Sequence, residues 1–294
     1  MTSFPSGLAC SCALHSRRLF TGLLAAGAGA VATPAWAQDG VRGDVGNNSR
    51  FSKLVSAEQV ETAAAQQYAQ TLGQAQQQRA LAPADHPQVV RLRAIAQRIF
   101  PYTEAWNPRA RQWRWEVNLL GSKEINAYCM PGGKIAFYLG ILQKLQLSDD
   151  EVATIMGHEV AHALREHARE RMGKTAATRV GAGLLSSLFG LGAVGDVALN
   201  MGGQLLTLRF SREDETEADI VGMDLAARAG YDPAAGVTLW QKMMKASQGA
   251  PPQFLSTHPA GDTRIKDIQA KLPKVQPLFE RAAKPERRYG PPQA

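Results

Sequence analysis

The spacing of apolar and polar positions changes character twice along this 294-residue chain. Ala57 to Gln78 is polar and rich in Ala and Gln, good helix formers, and predicts a first helix. Pro87 to Phe100, with Val90, Ile95 and Ile99 set among arginines, predicts a second. After Pro108 the period shortens. Trp113, Trp115 and Val117 alternate with Arg114 and Glu116, the period-2 signature of a half-buried strand running to Leu120. Glu124 to Cys129 predicts another strand, and Pro131-Gly132-Gly133 a turn leading into Lys134 to Tyr138. Beyond Leu139 the pattern is helical almost to the end. Ser148-Asp149-Asp150-Glu151 reads as a capping box opening a long helix through about Arg171, and Ser211 with Asp214 resembles a second box opening another. Gly230-Tyr231-Asp232-Pro233 stops that helix and starts the next. The expected architecture is mainly α with a small mixed β-sheet (α+β), and the absence of an internal repeat excludes a solenoid.

The first 37 residues stand apart from this pattern. Ser16-Arg17-Arg18-Leu19-Phe20 is a twin-arginine start, Thr21 to Val31 an uncharged run of small and apolar residues, and Ala35-Trp36-Ala37 a cleavage pattern. Residues 1–37 are therefore expected to be a signal peptide, cleaved near Ala37, that delivers the chain to the periplasm. The apolar run is well short of the roughly 20 residues that span a bilayer. Residues 38–52, rich in Gly, Asn and Ser, are expected to form a disordered linker, 53–284 a single domain, and 285–294 a loose tail. Val180 to Leu208 carries Asp196 as its only charge. It reads as a buried hairpin, as a flap, or as a peripheral membrane contact.

Composition narrows the partners. Hydrophobic residues make up 45% and charged residues 20%, as in an ordinary globular protein. Removing Arg17 and Arg18 with the signal lowers the net charge of +7 by two, to +5. No basic stripe accompanies the arginines around Trp113, so nucleic acid is not an expected partner. Only Cys129 would survive maturation, which excludes an internal disulfide and leaves a small buried apolar residue.

One constellation carries chemistry. His158-Glu159-Val160-Ala161-His162 is an H-E-x-x-H motif inside a predicted helix, where residues four apart share a face and two imidazoles can grip one metal. Glu159, beside the first of them, can take a proton from an attacking water. A catalytic zinc needs a third protein ligand. Arg165 and Ala168 stand where an extended motif would require Gly and His, and His167 would lie about 140° around the helix from His162, as a surface or neighbouring-contact residue. A glutamate from a second helix is the natural supplier. Within Ser211 to Asp219, only Glu215 has an aspartate four residues on, so Glu215 is the expected ligand and Asp219 the acceptor for a ligand histidine's other N–H.

These residues resemble the zinc gluzincin peptidases that include HtpX, the CaaX prenyl proteases and BepA. The resemblance runs from about Asn126 to Ile268. It rests on Asn126-Ala127-Tyr128 with Pro131-Gly132-Gly133, on the two zinc motifs, and on Ser256-Thr257-His258-Pro259 with Arg264, in that order. It implies a zincin-type domain with an HExxH helix and an ExxxD helix, like BepA without its helical repeats. It also implies one zinc ion per chain and an extended polypeptide substrate lying along an edge strand at Asn126. His258 or Arg264 would donate to the oxyanion, or His258 would fill the fourth metal position and hold the site latent. An endopeptidase acting on extended or misfolded segments is the leading expectation. The alternative is a chaperone or assembly factor for envelope proteins with a normally closed, weakly proteolytic site.

Overall fold

Capping and burial explain where each element starts. The computed structural model describes residues 40–188, 205–247, 252–258 and 263–292, with the backbone alone for 179–188. The signal-peptide expectation and most of Val180 to Leu208 lie outside these residues. Helix α1 (Ala57–Gln77) opens where the Ser56 side chain accepts the Gln59 amide. Helix α2 (Pro87–Ile99) buries Val89, Leu92, Ile95 and Ile99, whereas Val90 is 38% exposed. The buried stripe is thus one position away from Val90, and Arg91 is buried with it.

Three strands follow: β1 (Glu116–Leu120), β2 (Ala127–Met130) and β3 (Lys134–Tyr138). Their order is β1-β3-β2, with β1 parallel and β2 antiparallel to β3, so the sheet is mixed and β2 is an edge. β1 is shorter than its alternation suggests. Glu116 pairs with Lys134, the first residue of β3, so Trp113 and Trp115 have no ladder partner. Trp115 instead stacks on Phe100 at 4.3 Å and closes over Gly133, whose φ of 77° and contact with that ring leave no room for a side chain.

Helix α3 (Leu139–Lys144) leads to α4 (Asp149–Leu164), which carries the H-E-x-x-H motif and is buried on nearly every face. The Ser148/Glu151 capping box is formed. The helix does not run on to Arg171. It ends at Leu164, and Glu166, at a left-handed φ of 59°, turns the chain into α5 (His167–Leu188). Helix α6 (Arg212–Arg228) starts with the Ser211/Asp214 box, followed by α7 (Ala235–Ala246), the short α8 (Gln253–Thr257) and α9 (Arg264–Arg281). Among the described residues no helix is long and apolar enough to cross a membrane.

Two expectations about the ends are overturned. The stretch expected as a disordered linker is packed from residue 40 onward: Val41 is fully buried, Asp44 is held by Lys271 and Lys274, and the Gly46 carbonyl accepts from Arg165 at 2.5 Å. Its polar composition conceals these backbone and charge contacts, which only the folded domain supplies. The expected loose tail is pinned as well, because the Asp149 carboxylate accepts the Tyr289 and Gly290 amides at 2.7 and 3.2 Å. The same carboxylate holds the fully buried Arg91 at 2.7 Å, tying α2 and the tail to the start of α4.

Helices α4 and α6 touch backbone to backbone at Gly157 and Gly222. A Cβ on Gly222 would lie 2.6 Å from the His158 nitrogen, and one on Gly157 2.6 Å from the Gly222 carbonyl oxygen. Gly222→Ala is therefore expected to cost about 1–3 kcal/mol by overpacking. It should also move His158, so urea unfolding and zinc titration of this variant should both show a loss, whereas Gly43→Ala, which meets nothing within 4 Å, should change neither.

Candidate metal centre

Elements far apart in sequence converge on one buried point. Helix α4 presents His158, Glu159 and His162, α6 presents Glu215 and Asp219, the end of α8 presents His258, and α9 presents Arg264. The Nε2 atoms of His158 and His162 are 3.1 Å apart. Glu215 Oε1 is 3.4 Å from His162 Nε2 and 3.0 Å from His258 Nδ1, which is 3.3 Å from His158 Nε2. One ligand atom from each of these four residues lies within 4.8 Å of all the others, and all four are buried.

This donor set fits zinc. Three imidazole nitrogens and one carboxylate oxygen are the atoms zinc takes. The outer nitrogen of His158 donates to Asp219 Oδ1 at 2.9 Å, leaving its Nε2 lone pair turned inward.

The charges explain how the site tolerates burial. Burial pushes the Glu215 carboxyl up, but His258, His162 and His158 together hold it far below the usual carboxylate range. Burial acts on Asp219 in the same way and is outweighed by Arg264 and His158. Glu159 goes the other way: burial dominates and its affinity for a proton is raised. Burial drives His162 well below the usual imidazole range. It acts on His258 in the same sense, but Glu159 and Glu215 reverse the outcome and raise it.

Glu159 Oε1 makes no hydrogen bond and lies 3.5 Å from His258 Nε2. It faces a cleft of about 330 Å³ bordered by Asn126 and Tyr128 on the β2 side and by His258 on the other. The Asn126 side chain accepts the amide of Ala127, and its carbonyl accepts the amide of Tyr138.

One residue sits otherwise than expected, and another takes the second of its two expected places. Arg264 does not face the cleft. Its guanidinium donates to Glu215 Oε2 and to Asp219 Oδ1, each at 2.7 Å, and lies 3.5 Å above the Trp240 ring, so it is committed to the carboxylates and not aimed at an oxyanion. His167, expected at the surface or in a neighbouring contact, makes the contact. It is fully buried, 2.9 Å from His162, because the break after Leu164 turns it back toward the site. Sequence reasoning also passed over Phe210 and Phe254, which stack on His162 at 3.9 Å and on His258 at 4.6 Å. Isolated aromatic residues carry no spacing signal that could have marked them.

An H-E-x-x-H helix crossed by a glutamate-bearing helix beside a small mixed sheet defines a zincin-type metalloprotease fold. The chain belongs to peptidase family M48, whose family profile matches residues 88–272, more than half of its length. It is 39% identical over 152 residues to the mitochondrial metalloendopeptidase OMA1 of Arabidopsis thaliana, covering 52% of this chain and 30% of that protein. It is 33% identical over 197 residues to OMA1 of Schizosaccharomyces pombe, covering 66% of this chain and 56% of that one. Metalloprotease LoiP of Escherichia coli is 30% identical over 154 residues, covering 51% of this chain and 60% of LoiP. The chain thus spans from 30% to 60% of these relatives' lengths.

Glu213 is exposed while Glu215 is buried among the imidazoles. Glu215→Gln is expected to weaken Zn²⁺ binding by more than about 100-fold, and Asp219→Ala by about 10–100-fold, while Glu213→Gln leaves it unchanged. Competition with a chromophoric chelator measures all three.

Proposed function

We propose that this chain is a zinc-dependent endopeptidase of the cell envelope, exported by its signal peptide, that cuts extended or misfolded polypeptide segments. The observation that carries this reading is the meeting of a buried, proton-avid Glu159, whose Oε1 makes no hydrogen bond, with a four-ligand cluster at the wall of a cleft beside an edge strand. Among the described residues β2 pairs only with β3, so its outer edge is free to add a substrate strand. Asn126, at the start of that edge, takes part in placing the substrate.

His158, His162 and Glu215 hold the zinc, with Asp219 orienting His158 and Arg264 holding Glu215 and Asp219 in place. Bound there, zinc supplies Lewis acidity to a substrate carbonyl and makes water a nucleophile near neutral pH. Glu159 accepts the water's proton at Oε1 and delivers it to the departing amine nitrogen. Burial, which raises its proton affinity, suits it to both halves of this transfer.

His258 governs access. Its ring lies between Glu215 and Glu159, with one nitrogen 3.0 Å from the first and the other 3.5 Å from the second, in the space that water and the scissile carbonyl need. The reading in which His258 keeps the site latent follows from that placement. The alternative of an assembly factor with a normally closed site draws on the same contact. Opening the site separates the two, since a protease gains turnover and a pure binder gains none.

The expected results are specific. Glu159→Gln should keep Zn²⁺ bound and lower casein cleavage by about 10²–10⁴-fold, because an amide cannot take the proton. His258→Ala should raise basal cleavage by up to about tenfold, the scale of a closed state favoured by about 1.4 kcal/mol. A fall in cleavage would instead make His258 a donor to the transition state. Near-normal turnover in Glu159→Gln would remove Glu159 from its role.

A further inference from the structure

We propose that His167 is a positioning residue for the metal site, which accepts the Nδ1 proton of His162, donates its own Nε2 proton to Glu217, and so holds the inner nitrogen of His162 unprotonated. The proposal rests on the reading of His162 as a zinc ligand. Its chain of contacts is continuous and buried. His162 Nδ1 lies 2.9 Å from His167 Nδ1, with the rings tilted by 73°, and His167 Nε2 lies 2.9 Å from Glu217 Oε2. His167 is fully buried, so no water competes for its nitrogens.

The proton positions follow from the far end. A carboxylate only accepts, so the nitrogen facing Glu217 carries the hydrogen. In a neutral ring the other nitrogen is then an acceptor. Two nitrogens 2.9 Å apart share one proton, which must therefore sit on His162 Nδ1, and His162 Nε2 presents its lone pair to the cluster. The Glu217 carboxylate is gripped from both sides, by His167 at Oε2 and by Arg165 at Oε1. Arg165 donates to Glu217 Oε1 at 2.8 Å and to the Gly46 carbonyl at 2.5 Å, which anchors the carboxylate from behind.

The same construction stands behind the other ligand. Arg264 donates to Asp219, and Asp219 accepts from His158 Nδ1. On the His162 side the order is Arg165, Glu217, His167, His162, one imidazole longer. Glu217 lies two residues before Asp219 on α6, too far from His162 to reach it directly, and the inserted ring bridges the gap. The left-handed turn at Glu166 is what makes the bridge. A continuous helix would have carried His167 about 140° away from His162.

The test uses the full chain, Zn²⁺ with a chromophoric chelator, and ¹⁵N spectra of histidine-labelled protein. His167→Phe, which can neither accept nor donate, is expected to weaken Zn²⁺ binding by about 10–100-fold. His167→Gln keeps an acceptor oxygen and a donor nitrogen and should stay within about threefold of the unaltered chain. Glu217→Leu, at a half-buried position, removes the acceptor that fixes the proton on His167 Nε2, so it tests the relay even if His167→Phe fails to fold, and about a tenfold loss is expected. Unaltered affinity in Glu217→Leu overturns the proposal, as do equal losses in His167→Phe and His167→Gln, which would mean packing alone. The spectra decide the question without metal: an Nδ1-protonated His162 in the metal-free chain supports the relay, and an Nε2-protonated one overturns it. An unaltered chain that binds no Zn²⁺ would sink the metal reading, while the metal-free spectra would still judge the relay.

Discussion

The contact on which the rest of the structure depends is the crossing of α4 and α6 at Gly157 and Gly222. With no side chain on either residue, two helix backbones meet where ordinary residues would hold them apart, and the meeting point is one residue before His158. That closeness is what lets Glu215 and Asp219, about two turns and one turn earlier along α6, reach the imidazoles of α4. Spread the axes by the width of a methyl group and the carboxylates fall short of the cluster. The site is therefore a consequence of helix packing before it is a matter of ligand chemistry.

Bringing two carboxylates and three imidazoles out of water is costly unless each has a partner. The protein answers with arginines placed behind the acids, not beside the cleft. Arg264 spans Glu215 and Asp219 and rests on Trp240, while Arg165 holds Glu217. Each acid then turns its remaining capacity toward a histidine. Glu159 has no arginine behind it: its Oε1 makes no hydrogen bond, its nearest cationic neighbour is His258 at 3.5 Å, and burial raises its proton affinity. Arginines thus stand behind Glu215, Asp219 and Glu217, and not behind Glu159.

Segments at both ends of the described chain brace this arrangement. The leading segment buries Val41, binds α9 through Asp44 and takes Arg165, just past α4, on the Gly46 carbonyl, and the segment at Tyr289 and Gly290 closes on Asp149 at the start of α4. The helix that carries the motif is thereby held at its first turn by the tail and just past its last turn by the leading segment. On the opposite side of the cleft, β2 keeps one edge unpaired among the described residues, the only kind of backbone that can still accept another strand.

Local rules were enough for much of this. Periodicity, capping boxes and turn glycines placed α1, α2, the three strands and the starts of α4 and α6, because such signals act over a few residues of the same chain. The i, i+4 spacing of His158 and His162, and of Glu215 and Asp219, likewise pointed by helix geometry alone to side chains that the fold brings together in one candidate metal centre. What the sequence could not reveal depended on contacts between distant segments. Val90 faces solvent and Arg91 the interior because Asp149 lies opposite Arg91. Arg264 turns from the cleft because Glu215 and Asp219 together attract it more strongly than open space. His167 belongs to the site because the chain breaks at Glu166, a non-glycine residue whose left-handed turn no propensity favours. Each of these outcomes was settled by an energy shared among groups dozens of residues apart, which is why only the tertiary structure could decide it.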